Sequence, residues 1–317
     1  MAGLEVNSEI VSIQTSQSEL LEQLQREYES KLKALPDKPE ETAEAAVRAL
    51  WFRAAGQQVS AQRAMAGRAP LPELNEVQVQ SLRDLFHQRL SGVPLAHLTG
   101  RQNFMGLEFL ASSAALIPRK ETELLAQAAH ALLKDRVLPG NPEPKVLDLC
   151  CGSGNVSCAL ATLVPAAIVV GSDISEEAVH LAKQNAVALG CDARVRFVTG
   201  DLFAPFDQPP YYQSFDLITC NPPYITSGKL PSMPGEIIEH EPKLAFDGGP
   251  LGMGVLWRLL SEVPRFCKPG GWLAFEVGLG QGKGLLQRLS RMPAYAESQG
   301  AVDEAGNVRT LTARVKA

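Results

Sequence analysis

The 317-residue chain has no two cysteines at Cys-x-x-Cys spacing, no apolar run long enough to span a bilayer, and no surplus of positive charge. The missing spacing removes the usual zinc site and redox dithiol, and no metal is expected. The six cysteines (Cys150, Cys151, Cys158, Cys191, Cys220 and Cys267) fall mostly inside apolar runs and read as reduced, buried thiols of a cytoplasmic protein. Glu5, Asn7, Ser8 and Glu9 make the N-terminus too polar for a signal peptide, and no membrane span is expected. Thirty basic against 35 acidic residues leave a formal charge of -5, which argues against a broad grip on nucleic acid. The hydrophobic fraction of 45% and the length fit two ordinary globular domains.

The chain divides by pattern. Residues 1–16 lack clear periodicity and predict a loose tail. Leu20, Leu21, Leu24, Tyr28 and Leu32 then recur at helical spacing from Ser18, ahead of a break at Pro36 to Pro39. Further helices are expected over Glu41 to Ala55 and Glu73 to Leu90, so that 17–91 forms a small helical domain. In Gly92 to Ala111, Leu98, Phe104, Leu107, Phe109 and Leu110 alternate with Thr99, Gly100 and Gly106. This predicts a β-hairpin, part of a linker over 92–140. From 141 to 317 short apolar runs alternate with helical patterns, the mark of parallel βαβ units. Strands are expected at Val146 to Cys150, Ile168 to Gly171, Val195 to Thr199, Asp216 to Cys220 and Trp272 to Val277. The helices between them are read at Val156 to Val164, Ser175 to Leu189 and Met253 to Phe266.

Chemistry collects at the ends of those strands. Asp148-Leu149-Cys150-Cys151-Gly152-Ser153-Gly154 closes the first strand and opens a helix. There glycines admit a ligand to the backbone, and the helix N-terminus offers free N–H groups. A dinucleotide fingerprint needs a third glycine, but Ser157 holds that position, which leaves S-adenosylmethionine as the candidate cofactor. Asp173 ends the second strand, with Ile174 after it, placed to accept both hydroxyls of a ribose. Asp201 follows the third, placed to meet an adenine amine with Leu202 or Phe203 against its face. Taken singly, each acid reads as a solvated loop residue or a helix cap; the spacing of all of them along one sheet edge describes an adenosine site.

Beside that site lies Asn221-Pro222-Pro223-Tyr224, straight after the apolar run Phe215 to Cys220. The Asn221 side-chain carbonyl and the Pro222 backbone carbonyl can accept the two hydrogens of a planar NH2 group. Two prolines, each with φ fixed and no N–H, pre-set the corner, and Tyr224 offers a ring to cover the flat group. An amide, a nucleobase amine and a guanidine all carry such a nitrogen. Joined to an adenosine site, the corner describes N-methyl transfer.

With these residues the chain resembles the S-adenosylmethionine-dependent methyltransferases with an Asn-Pro-Pro-Tyr motif, and specifically the release factor glutamine N5-methyltransferase family. Gly92 to Gly100, Phe104 to Phe109, Leu116 to Glu123, Glu241 to Gly249, Pro269 to Gly278 and Asp303 to Arg309 each look like recurring segments of that family. The resemblance implies a Rossmann-like class I α/β fold: a seven-stranded, mostly parallel sheet closed by an antiparallel hairpin, behind a helical N-terminal domain and a hairpin linker. It implies S-adenosylmethionine as cofactor and S-adenosylhomocysteine as product. Asp148, Cys150, Gly152, Gly154, Asn155, Asp173, Ile174, Asp201, Leu202 and Asn221 would lie on the cofactor side. Asn221, Pro222 and Tyr224 would carry the chemistry, with Phe104, Arg119, Thr122, Glu123, Pro223 and Tyr224 toward the substrate.

Arg119 and Glu123 read equally well as a salt bridge tying the linker to the core. The acceptor implied is a glutamine of a peptide chain release factor, with another glutamine-bearing protein next. The family usually has proline where Lys120 stands, and that extra cation favours a small amino-acid-like acceptor with an amide or guanidine nitrogen as the alternative. N6-adenine methylation is opposed by the acidic charge. A non-catalytic module is opposed by the intact glycine loop and Asn221. Oligomeric state is not legible in the sequence.

Overall fold

The computed structural model describes residues 2–32 and 38–317, with side chains at 17–32, 38–67 and 69–317. It falls into two compact units, 1–103 and 104–317.

The first unit carries helices α1 (Ala2–Lys31), α2 (Ala43–Ala54), α3 (Ala61–Met65), α4 (Glu76–Leu90) and α5 (Leu95–Thr99). Leu24, Val47, Leu50, Trp51, Leu82 and Phe86 form its core, since the helices can bury their apolar stripes only against one another. Side-chain caps fix where they begin: Thr42 accepts from Ala45, Ser60 from Arg63, and Asn75 with Gln78 makes a reciprocal capping box. Three expectations change here. The backbone of 2–16 is helical, where a loose tail is expected; no proline or interior glycine interrupts 4–31. α3 was not read, being only five residues long. The segment after Gly92 forms α5 before any strand begins. Of the predicted Pro36 to Pro39 break, 36 and 37 lie outside the described residues.

The hairpin proper is β1 (Arg101–Phe104) and β2 (Leu107–Leu110), joined at Met105 and Gly106. Both turn residues have positive φ, 53° and 78°, as a tight two-residue hairpin turn requires. The expected linker is not a body of its own, because 104–140 belongs to the second unit. In that unit α6 (Thr122–Leu132) is followed by β3 (Lys145–Leu149), α7 (Asn155–Leu163), β4 (Ile168–Asp173), α8 (Glu176–Ala188), β5 (Val195–Thr199), β6 (Phe215–Cys220) and α9 (Gly235–Ile238). Then come α10 (Gly254–Phe266), β7 (Cys267–Glu276), α11 (Gly282–Leu289), β8 (Tyr295–Val302) and β9 (Val308–Val315).

Seven strands form one sheet in the order β5-β4-β3-β6-β7-β9-β8. β3 to β7 are parallel, and β9 runs antiparallel to both β7 and β8. This is the Rossmann-like class I methyltransferase sheet. Alternate residues of each strand face opposite sides. Val146, Val169, Leu217 and Trp272 pack against α6, α7 and α8, while Leu147, Ile218, Leu273 and Phe275 pack against α10 and α11. Burial on both faces explains the nearly continuous apolar runs. The strand order reverses beside β3, so the carboxyl ends of β3 and its neighbours open onto one crevice.

Candidate active site

A cavity of about 300 Å³ occupies that crevice. Asp148, Cys150, Gly152, Asn155, Asp173, Ile174, Asp201, Leu202, Asn221 and Pro223 line it, joined by Arg119 and Thr122. Residues from four strand ends and from the segment before α6 therefore meet in one place.

Its floor is Asp148, 1% exposed. The carboxylate accepts hydrogen bonds from Ser157 Oγ at 2.6 Å and Thr219 Oγ1 at 2.7 Å. Burial pushes its pKa up to about 6 against those two hydroxyls. Above it the chain turns at Cys150, Gly152 and Gly154, with φ of 55°, 52° and 78°. At Gly154 a Cβ would lie 2.7 Å from Phe197 Cζ, so only glycine lets α7 begin this close to the sheet. Gly152 has open space where a side chain would stand. The Asp173 carboxylate fixes the loop, since Oδ2 accepts from Gly152 N at 2.8 Å and Oδ1 from Ser175 N at 3.0 Å. Asn185, buried on α8, supports it from behind by donating to Ser153 O at 2.9 Å.

At the far end of the cavity both Asp201 oxygens bind Arg258 Nη1 at 3.0 Å. The carboxylate expected to meet an adenine amine is thus already paired with a guanidinium from α10. Ile174 is 52% exposed although apolar, and Leu202 is held at φ 48° beside it. Ile174 thus presents an apolar face to a largely apolar cavity, the kind of surface on which a flat apolar group stacks.

The Asn221 corner closes the other side. Asn221 Nδ2 donates to Thr122 Oγ1 at 3.2 Å, which turns the amide carbonyl away from Thr122. Pro222 is buried, and its carbonyl accepts no hydrogen bond among the described residues. Tyr224 donates its hydroxyl to Glu276 Oε1 at 2.8 Å, and burial pushes that phenol well above its ordinary pKa. One loop, 247–253, packs against the back of the corner. Gly248 lies against Pro223 O and Tyr224 Cα, and a Cβ on Gly252 would stand 2.3 Å from Tyr224 O.

Several substrate-side expectations change on contact with the structure. Phe104 is 1% exposed and packs edge-on against Phe109 at 6.1 Å in the core, not on the cavity. Two turn-and-strand aromatics beside a helix with an apolar face have nowhere else to go. Glu123 is buried, accepts from Met105 N at 2.8 Å and pairs with Lys120, so it anchors the hairpin turn. Arg119 lines the cavity and also pairs at 2.5 Å with Glu241, whose other oxygen accepts from Ile117 N. Its position fits both the structural and the binding reading. Pro222 and Tyr224 stand beside the cavity without lining it.

A family profile described as "Methyltransferase domain" matches residues 141–279. The release factor glutamine methyltransferase of Bradyrhizobium diazoefficiens is 34% identical over 241 residues, 76% of this chain and 79% of that one. The chain belongs to the release factor glutamine methyltransferase family. The proteins of that name from Moorella thermoacetica (37% identical, 71% of this chain and 76% of that one) and Geobacter sulfurreducens (36%, 76% and 80%) agree.

The methyl donor of this methyltransferase is S-adenosylmethionine, and the cavity's residues fit it. Gly152 leaves a cradle on its wall, and Gly154, which does not itself line the cavity, gives α7 no side-chain cap. Asp173 keeps lone pairs for a diol, while Ile174 and Leu202 offer apolar faces.

Glu241, Asn185, Arg258, Glu276 and Arg309 were not singled out from the sequence. Glu276 had a readable signal: a lone acid at the end of the run Trp272 to Val277. The others act across long sequence separations that no local pattern announces.

Proposed function

We propose that this protein methylates the side-chain amide nitrogen of a glutamine in a peptide chain release factor, using S-adenosylmethionine. The observation that carries this reading is the Asn221 amide, turned by Thr122 so that its carbonyl oxygen is free to accept, at the edge of the cofactor cavity.

An amide nitrogen is a poor nucleophile because its lone pair is delocalised into the carbonyl. The Asn221 and Pro222 carbonyls accept its two hydrogens, hold its plane, and direct the lone pair toward the cavity. When bound, the cofactor supplies an electrophilic methyl on a sulfonium. As the bond forms the nitrogen gains positive charge, and the same two carbonyl dipoles face it. The surplus proton leaves to water, so no protein base is required. Pre-alignment of this kind accounts for up to ~7 to 11 kcal/mol of barrier reduction. The prolines and the packed loop behind the corner supply the rigidity.

Three observations support a protein glutamine over the other acceptors. The relatives named above carry release factor glutamine in their names. Lys120, the reason to consider a small amino-acid-like acceptor, pairs with Glu123 and does not line the cavity. The formal charge of -5 opposes nucleic acid. We place the reaction in the cytoplasm; all six cysteines are free, and no described helix is long and apolar enough to cross a membrane.

Asn221→Ala is the test. With labelled cofactor and a release factor, its kcat is expected to fall roughly 100-fold or more, with cofactor Kd unchanged within a few-fold. Equal losses in both would mean that Asn221 binds cofactor and does not hold the acceptor.

A further inference from the structure

The run Trp272 to Val277, at the end of β7, is buried, and within it Glu276 is a carboxylic acid only 1% exposed. The sheet register explains what it meets. Phe275 pairs with Cys220 of β6, so Glu276 stands level with Asn221; on the other side it pairs with Thr310 of β9. The preceding residue of β9, Arg309, accepts Val277 N at its carbonyl and sends its guanidinium to the same point. Arg309 Nη2 lies 3.8 Å from Glu276 Oε1, 3.6 Å from Glu121 Oε1 and 3.4 Å from the Tyr224 hydroxyl.

The groups facing Glu276 are therefore Glu121 and Thr122 at the start of α6, Tyr224 of the corner, and Arg309 of β9. Tyr224 takes Oε1 at 2.8 Å. Oε2 has no hydrogen bond of normal geometry among the described residues, and the Thr122 hydroxyl stands near enough to favour the ionised form. That same hydroxyl receives Asn221 Nδ2. A single buried carboxylate thus touches, directly or through one hydroxyl, both side chains of the corner.

One guanidinium is shared among two carboxylates and a phenol, so this cluster is incompletely neutralised and disfavours the folded state. A glutamine of the same shape would be cheaper. Buried charge kept against stability, at the back of a reaction corner, marks a functional device.

We propose that Glu276 is a positioning residue for methyl transfer, with Arg309 as its anchor. By holding the Tyr224 hydroxyl and facing the Thr122 hydroxyl that orients Asn221, it keeps the aromatic ring and the acceptor carbonyl in one mutual arrangement. The ionised carboxylate is the stronger acceptor of the phenol proton and engages Arg309. Protonation weakens both contacts. The inference rests on the reading of Asn221 as the amide's acceptor.

Glu276→Gln keeps the shape and removes the charge. We expect kcat to fall about 10- to 100-fold, the loss typical of a small misplacement, with KM for the release factor and cofactor Kd within about three-fold. The acid limb of the kcat–pH profile near neutrality flattens. In a Tyr224→Phe background the same change costs much less than in the wild type. A readout that needs no turnover is the fluorine spectrum of protein carrying 3-fluorotyrosine in place of its five tyrosines. The resonance lost in Tyr224→Phe shifts with pH with a midpoint near neutrality, and that response disappears in Glu276→Gln. Arg309→Lys lowers kcat less than Glu276→Gln does. If wild-type protein transfers no methyl to glutamine, the functional reading fails while the fluorine response still decides the coupling of Glu276 to Tyr224. Wild-type kcat and pH profile in Glu276→Gln, or a Tyr224 resonance indifferent to that substitution, overturns the proposal.

Discussion

Three carboxylates in the catalytic unit, Asp148, Asp173 and Glu276, have their pKa raised by burial. Burial raises Asp148 to about 6 and Glu276 to about 7. A raised folded-state pKa means that the folded protein holds the proton more tightly than the unfolded chain. Each group's contribution is therefore most favourable below the ordinary carboxylate range and is lost as pH climbs through that window. For Glu276 the loss is on the order of 3 kcal/mol. The unfolding free energy of Glu276→Gln minus that of the wild type should accordingly rise between about pH 4.5 and 7 and level off above, as urea denaturation at several pH values would show. A difference independent of pH would mean that Glu276 is not buried in this way.

Residues whose placement follows from the neighbouring sequence were legible: Asn221 after its strand, Gly152 and Gly154 at the turn, Asp173 at a strand end. Those whose role depends on a distant partner were not. Asp201 finds Arg258 57 positions away, and Arg119 finds Glu241 122 positions away. Phe104 lies in the core beside Phe109, and the sequence does not distinguish an aromatic on a hairpin that faces a channel from one that faces a core.

At the scale of elements, strands buried on both faces announce themselves, and β3 to β7 were each legible to within a few residues. β8 and β9 were not read from periodicity and were expected only as the closing hairpin that the resemblance implies, and the harder of the two to read is β8. It pairs only with β9 at the sheet's edge, and most of its residues are exposed, so no apolar run marks it. α11 begins Gly-Lys-Gly, a poor helical start by propensity, and forms because Leu285 and Leu289 pack onto the sheet. The loop before α10 has a more specific duty. Gly252, at φ 64°, leaves room for the Tyr224 carbonyl. Gly252→Ala should destabilise the protein by about 1 to 3 kcal/mol and lower turnover with it, because the added methyl can be accommodated only by moving the corner. A variant with wild-type Tm and turnover would show that the loop is not packed against the corner.

At the scale of the whole molecule, the two units have their own cores, and all the residues assigned to chemistry belong to 104–317. The central claim is the identity of the acceptor atom. It is tested by incubating the full chain with labelled S-adenosylmethionine and, separately, a release factor, free glutamine, free arginine and DNA, then locating the methyl by mass spectrometry. The account predicts one methyl on the side-chain amide nitrogen of a release-factor glutamine and none elsewhere; label confined to DNA or to free arginine would contradict it.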